Sequence, residues 1–277
     1  MPEILYEKQG RIAFITINRP ERRNALNRAA FGQLANAWLD FNADDELWVA
    51  IITGAENPQE PDKNAFCSGG DLKEAIQFFV DNAEDLATGK KTAGAEGYLP
   101  NSPLIAMLRE VEIYKPIIAA VNGICVAGGM EMLLGTDIRI ASEKASFGIF
   151  EPRRALFPGG GTTVRLPRQV PYCFAMEVLL TADAVPAALA YEMGIVNRVV
   201  PHEKLMETAV EFAETISKNG PLAVRAVKEC VHKNLRLPLK EAFELELDYS
   251  AKVFMTDDAQ EGLAAFREKR KPQWKGR

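Results

Sequence analysis

The sequence predicts an α/β protein in which strand and helix units repeat as a spiral and a helical region completes the chain. Three observations predict it. β-rich runs alternate with helical patterns over the first two hundred residues, no Gly-x-Gly-x-x-Gly turn opens those helices, and beyond Pro201 only helical patterns remain. The lack of that glycine turn favours a repeated spiral over a dinucleotide-binding sheet.

The run RIAFITI at 11–17 reads as the first strand, and RAAFGQLANAWLDFNAD after it as a helix. In that helix Phe31, Leu34, Trp38 and Phe41 recur at the three-to-four spacing of one face. WVAIIT at 48–53, PIIAAVNGICV at 116–126 and DIRIAS at 137–142 supply further strands. Between them, NAFCSGGDLKEA at 64–75 ends a β-rich approach in two glycines and starts a helix at Asp71. The polar, Gly- and Ala-rich segment from Gln77 to Ser102 is expected to be a loosely packed, moving insertion. In FPGGGTTVRL, Pro158 and three glycines turn the chain sharply into a helix that Thr162 or Thr163 would cap; the run lacks the Gly-x-x-x-x-Gly-Lys order of a phosphate loop. Three helical patterns follow, HEKLMETAVEFAETISKNG, PLAVRAVKECVHKNL and LKEAFELELDYSAKVFM, and then the basic tail REKRKPQWKGR. Lys269, Arg270, Lys271 and Arg277 of that tail are either a solvated end or a contact for phosphates.

With 277 residues, 47% of them hydrophobic, the chain can bury one large core. A formal net charge of −5 leaves no broad attraction to nucleic acid or to an anionic membrane, so an anionic ligand would need local cations. Cys67, Cys125, Cys173 and Cys230 form no CxxC pair, which argues against a zinc site and a disulfide framework and for a reducing compartment. The start lacks the order of a secretory signal and no apolar run reaches membrane-spanning length, so a cytoplasmic protein is expected. The only histidines, His202 and His232, sit among polar neighbours and read as surface residues. Chemistry would then rest on carboxylates and backbone.

The stretch VNGICVAGGMEMLLGTD places Glu131 in an apolar run directly after Gly128, Gly129 and Met130. Its turn is built like the one at Gly69 and Gly70: strand, glycine pair, acidic helix start. Glycine admits close backbone approach, and the first amides of a helix have no internal partners. Two such amides aimed at one point would hold a carbonyl oxygen that gains negative charge; each donor of this kind is worth about 10² to 10³ in rate. Burial would lift the Glu131 pKa toward neutrality and make proton exchange feasible there. Glu151, between Phe150 and Pro152, is a second carboxylate in apolar surroundings, and two such groups beside an activated carbonyl can hold a water between them. The plainer readings are helix-start turns for the glycines, a cap for Glu131, and a routine ion pair of Glu151 with Arg153 or Arg154.

At these residues the chain resembles the enoyl-CoA hydratase/isomerase, or crotonase, family over nearly its whole length. INRPERRNAL, AFCSGGDLKE, KPIIAAVNGICVAGGMEM, TDIRIASEKASFGIFEPRRALFPGGGTTVRL and TDDAQEGLAAFREKRKPQW carry the resemblance. It implies a spiral of strand-strand-helix repeats with an acyl-CoA site over residues 1–200. Residues 201–277 would form a helical region for trimerisation and site closure, giving a homotrimer or homohexamer. It implies an acyl-CoA substrate and no separate cofactor, coenzyme A being part of the substrate. Carried over by position, the oxyanion donors are the amides of Gly70 and Gly128, and the catalytic carboxylates are Glu131 and Glu151. Coenzyme A would be met by Arg22, by Ser68 and the stretch Asp71, Leu72 and Lys73, and by Phe266 and Lys269.

Hydration of a 2-enoyl-CoA to a 3-hydroxyacyl-CoA is the activity this pattern implies. Double-bond migration, or another crotonase-type acyl-CoA reaction, through one glutamate is the nearest alternative, and a non-catalytic acyl-CoA-binding scaffold is one from a different class. A two-carboxylate glycosidase would leave the paired glycine turns without a part. Where many hydratases carry Gly-Gln-Pro-Glu, this chain has Gly148-Ile149-Phe150-Glu151, followed by Arg153-Arg154-Ala155. That departure, with the segment at 77–102, is expected to suit an acyl group other than a short straight chain.

Overall fold

A computed structural model describes residues 1–81, 84 and 102–277. Most of the segment expected to be an insertion, and its expected mobility, therefore lies outside the described residues.

Among the described residues, ten strands form two sheets. The larger has the order β1 (Ile4–Gln9), β2 (Ile12–Ile17), β3 (Val49–Gly54), β5 (Ile117–Val121), β7 (Ile138–Ser142), β10 (Arg198–Val200). Only the β1–β2 hairpin is antiparallel. The smaller sheet runs β4 (Ala65–Cys67), β6 (Ile124–Val126), β8 (Ser146–Gly148), β9 (Val185–Pro186), parallel except for its last pair. Each repeat thus gives one strand to each sheet: β3 then β4, β5 then β6, β7 then β8.

The continuous apolar runs follow from burial on both faces. In β3, Ala50 and Ile52 face the main core while Val49 and Ile51 face a second cluster. Helix α1 (Arg28–Ala43), capped by the Asn27 side chain on the Ala30 amide at 2.8 Å, closes the main core with the predicted Phe31, Leu34, Trp38 and Phe41. The second cluster is covered by the helix Leu205–Ser217 through Leu205, Ala209 and Ala213, spaced four apart as one helix face requires.

The run read as one strand at 116–126 is two, because Asn122 and Gly123 step the chain from one sheet to the other. A Cβ on Gly123 would lie 2.0 Å from the Asn64 carbonyl oxygen, so the crossing is open only to glycine. The helix Thr162–Gln169 is also entered differently from expectation. Gly161, at φ +126°, stands at its N-cap with no side-chain cap, so neither Thr162 nor Thr163 fills that part. A φ of that sign costs glycine little, which lets the chain turn into the helix at this position.

Past Pro201 every described element is helical, as expected. The helices Pro221–Asn234, Leu239–Phe254 and Asp257–Glu268 end the fold. The middle one buries no residue, and Leu239, Phe243 and Leu247, four apart, are all exposed. The basic tail is not loose. Asp258 accepts the amides of Lys275 and Gly276, Trp274 donates to the Lys218 carbonyl at 2.8 Å, and Arg270 is held by Glu261 and Glu268. Among the described residues no helix is long and apolar enough to cross a membrane, and no three acidic, His or Cys side chains could hold a metal.

Candidate active site

Three adjacent parallel strands end at one edge of the small sheet. β4 leads to Gly70, β6 to Gly128 and β8 to Glu151, so residues remote in sequence emerge side by side.

The two glycine turns touch. A Cβ on Gly69, at φ +92°, would lie 2.9 Å from the Gly128 nitrogen, and one on Gly128 would lie 3.3 Å from Gly69 Cα and 3.5 Å from the Gly70 nitrogen. Gly129 packs as tightly: a Cβ there would meet the Cys67 carbonyl oxygen at 2.2 Å. Glycine is required because backbone meets backbone.

The direction of the Gly70 amide is set by its neighbours. Leu26 forms a parallel bridge with Gly70, in which Leu26 donates to Gly69 O and Asp71 donates to Leu26 O, both at 2.8 Å. The flanking groups are spent there, so the Gly70 N–H points to the opposite side. Gly128 opens α4 (Gly128–Leu133), where an N–H has no intrahelical acceptor. Ahead of it Ala127 holds φ +52° and ψ −128°, an uncommon conformation for a residue with a side chain. The strain turns the chain from β6 into the helix within one residue. Nothing in the residue type announces it, and a sequence reading misses it.

Glu131 lies one turn into α4 and is 6% exposed. The Gly160 amide donates to its Oε1 at 2.6 Å, and a Cβ on Gly160 would sit 2.3 Å from its Oε2. Burial first, and the charge of Glu151 second, push its pKa up to about 7 against the pull of the Gly160 amide, Arg165 and Thr162. The Thr162 hydroxyl is fully buried beside it, yet closes no hydrogen bond of normal geometry. Glu131 is therefore no helix cap but an acid held in an apolar seat.

Glu151 precedes the turn Pro152–Arg154. Burial raises its pKa, only partly offset by its own and the Phe150 backbone amides and by Arg154. Its Oε2 is buried and has no hydrogen-bond partner among the described residues. The routine ion pair does not form: Arg153 pairs with Asp183 and stacks on Phe150, while Arg154 donates to the Phe150 carbonyl at 3.3 Å.

The candidate coenzyme-binding residues are placed less closely. Ser68 and Asp71 are half-buried at the first glycine turn, Leu72 and Lys73 are exposed beyond it, and Arg22 is exposed. The Asp71 carboxylate caps the amides of Lys73 and Glu74 and meets Arg19, its amide donates to Leu26 O, and its carbonyl accepts from Ala75 and Ile76, so its polar groups are engaged within the turn. Phe266 is 84% exposed at the far end of the chain, with Lys269 beside it. Of the histidines, His202 is half-buried between Ser142 Oγ and Glu56 Oε1, each at 3.0 Å, and His232 is exposed against Tyr114; neither joins the glutamates.

The family pattern described as Enoyl-CoA hydratase/isomerase matches residues 7–277, and the chain belongs to that family. An enoyl-CoA hydratase of Mycobacterium tuberculosis is 40% identical over 100% of this chain and 97% of its own length. A mevalonyl-coenzyme A hydratase of Aspergillus fumigatus is 38% identical over 95% of this chain and 91% of its own. Among solved structures, an enoyl-CoA hydratase of Bacillus anthracis superposes with a TM-score of 0.86 at 35% identity, covering 99% of this chain and 100% of that one.

Proposed function

We propose that the chain adds water across the 2,3 double bond of a 2-enoyl-CoA to give a 3-hydroxyacyl-CoA. The carrying observation is the pair of acids with raised pKa at the edge where two unspent main-chain amides meet, one acid keeping a buried oxygen without a partner. Mutual repulsion favours one shared proton near neutral pH, so the pair holds a base and an acid together. The ionised carboxylate takes a proton from water as its hydroxide adds to carbon 3. The electron pair moves onto the thioester oxygen, which the amides of Gly70 and Gly128 stabilise. Carbon 2 then receives a proton from the acid, and the proton count is restored. The unpartnered Oε2 of Glu151 supports water addition over simple double-bond migration, since a second acid with an unused lone pair is what water activation needs and a one-glutamate proton shuttle does not.

In this reading coenzyme A crosses Arg22, Ser68 and the 71–73 stretch, with Phe266 and Lys269 closing over it, and needs no further cofactor. The exposed apolar row Leu239, Phe243 and Leu247 supports assembly into a trimer or hexamer through residues 201–277, around a core of residues 1–200. Helix 205–217 belongs to both, since it covers the large sheet. The working compartment is the cytoplasm. The test is a panel of enoyl-CoA thioesters from short linear to bulky, following loss of the conjugated absorbance and the product mass. Hydration adds one water; an unchanged mass with a moved double bond replaces this reading by isomerisation, and binding without turnover replaces it by a scaffold.

A further inference from the structure

One cation beside Glu131 has no part in the chemistry just described. Arg165 lies in the first turn of the helix Thr162–Gln169, and its amide donates to Gly161 O at 2.8 Å. Its guanidinium runs inward. Nη1 donates to Met107 O at 2.9 Å and to Glu131 O at 3.2 Å, while Nη2 donates to Leu108 O.

The chain leaves a slot for it. A Cβ on Gly135, just past α4, would lie 2.8 Å from Nη1 and 2.9 Å from Leu108 Cβ, so the guanidinium reaches its three carbonyls only because that position has no side chain. Gly161, at φ +126°, adjoins the Arg165 stem, where an added Cβ would lie 3.7 Å away. Three carbonyls take three of the guanidinium's five N–H donors, but carbonyls alone do not call for a full charge. Among the described residues the charge has one acidic neighbour: Glu131 and Arg109 are the ionisable groups acting on Arg165, which itself acts on Arg139 and His232, and Glu151 and Arg165 are those acting on Glu131.

We propose that Arg165 is a positioning residue for Glu131. Its guanidinium fixes the Glu131 main chain to Met107 and Leu108, and its amide fixes the glycine turn from which the Gly160 N–H meets the carboxylate. One side chain thereby sets the spacing of the two elements that hold the acid. Its charge holds the Glu131 proton affinity below what burial alone would give.

The inference rests on the hydratase reading for its meaning, so its test reads Glu131 directly. Carboxyl titration is followed by infrared or ¹³C-glutamate spectroscopy, where an acid titrating near 7 stands apart from ordinary ones near about 4.3. Its signal is assigned by its loss in Glu131→Gln. Arg165→Gln is expected to raise that midpoint by about one unit, and Arg165→Lys to return it most of the way. A folded Arg165→Gln protein with the wild-type midpoint overturns the assignment, as a merely structural arginine would predict. Should Arg165→Gln not fold, Arg165→Lys decides: its ammonium cannot span three carbonyls as a planar fork does, so kcat falls about tenfold with KM within about twofold. An unchanged kcat there overturns it. Absence of turnover with every thioester would sink the hydratase reading and leave the titration result standing.

Discussion

Glu131 and Glu151 face the same edge of the small sheet in unlike seats. Glu131 is gripped: an amide on one oxygen, a glycine in place of any side chain against the other, and an arginine on its main chain. Glu151 is half-buried, with one buried oxygen that nothing in the described chain bonds. The difference teaches that equal residues at matched positions are built for unequal freedom. One acid is fixed in place, and the other keeps a lone pair for what enters the site.

The largest effect comes from deleting either charge. Glu131→Gln and Glu151→Gln should each lower kcat by ~10² to 10⁴ in the enoyl-absorbance assay while the fold is retained. Full turnover in either variant would break the pairing. A smaller loss separates the seats: in Gly160→Ala the new Cβ, 2.3 Å from Glu131 Oε2, forces the carboxylate aside, and kcat should fall roughly ten- to a hundredfold. Gly159→Ala meets nothing within 4 Å and should keep its rate. Equal rates for the two alanine variants would show that the grip on Glu131 is idle.

Titration sharpens the contrast. The Glu131 pKa of about 7 lies above the ordinary 4.5, so the folded state binds the proton more tightly than the unfolded chain. The stability tied to that proton is complete below pH 4.5, is lost as pH rises to about 7, and stays lost above; the total is roughly 3 kcal/mol. Urea unfolding at pH 5 and pH 8 should therefore show Glu131→Gln gaining on the wild type at the higher pH. In Glu151→Gln one cause of the upward shift is gone, so the Glu131 midpoint should move down, and an unmoved midpoint would mean that the seats do not feel each other. Smallest for the protomer is Phe243→Asp on the helix that buries nothing: unfolding free energy should change by no more than about 0.5 kcal/mol. In sedimentation the same variant tests the proposed assembly, whose species should shift toward single chains.

Much of this was legible in the residues because local rules carried it. The apolar spacing of Phe31, Leu34, Trp38 and Phe41 reports a helix face directly, and the glycine pairs report backbone approach. The acids at 131 and 151 were visible as charges out of place. What escaped depends on contacts across the chain. PIIAAVNGICV is apolar throughout, and only the Asn64 carbonyl packed against Gly123 shows that it serves two sheets. Gly160 in a run of three identical residues gives no hint that one of them meets Glu131. Arg165 reads as the polar face of a helix until Gly135 and Leu108 are seen to leave room for it. Ala127 carries its strain in a residue type with no preference for it.

The pairing of β4, β6 and β8 also has a temporal side. Ala65 sits beside Ile124, Val126 beside Gly148 and Leu26 beside Gly70, so no stretch of the nascent chain holds enough of the edge to act. Long-range parallel pairing is slow to form. Regained turnover in a refolding experiment would thus mark the last stage of the process, and a truncated product released before residue 160 would be inert rather than weakly active.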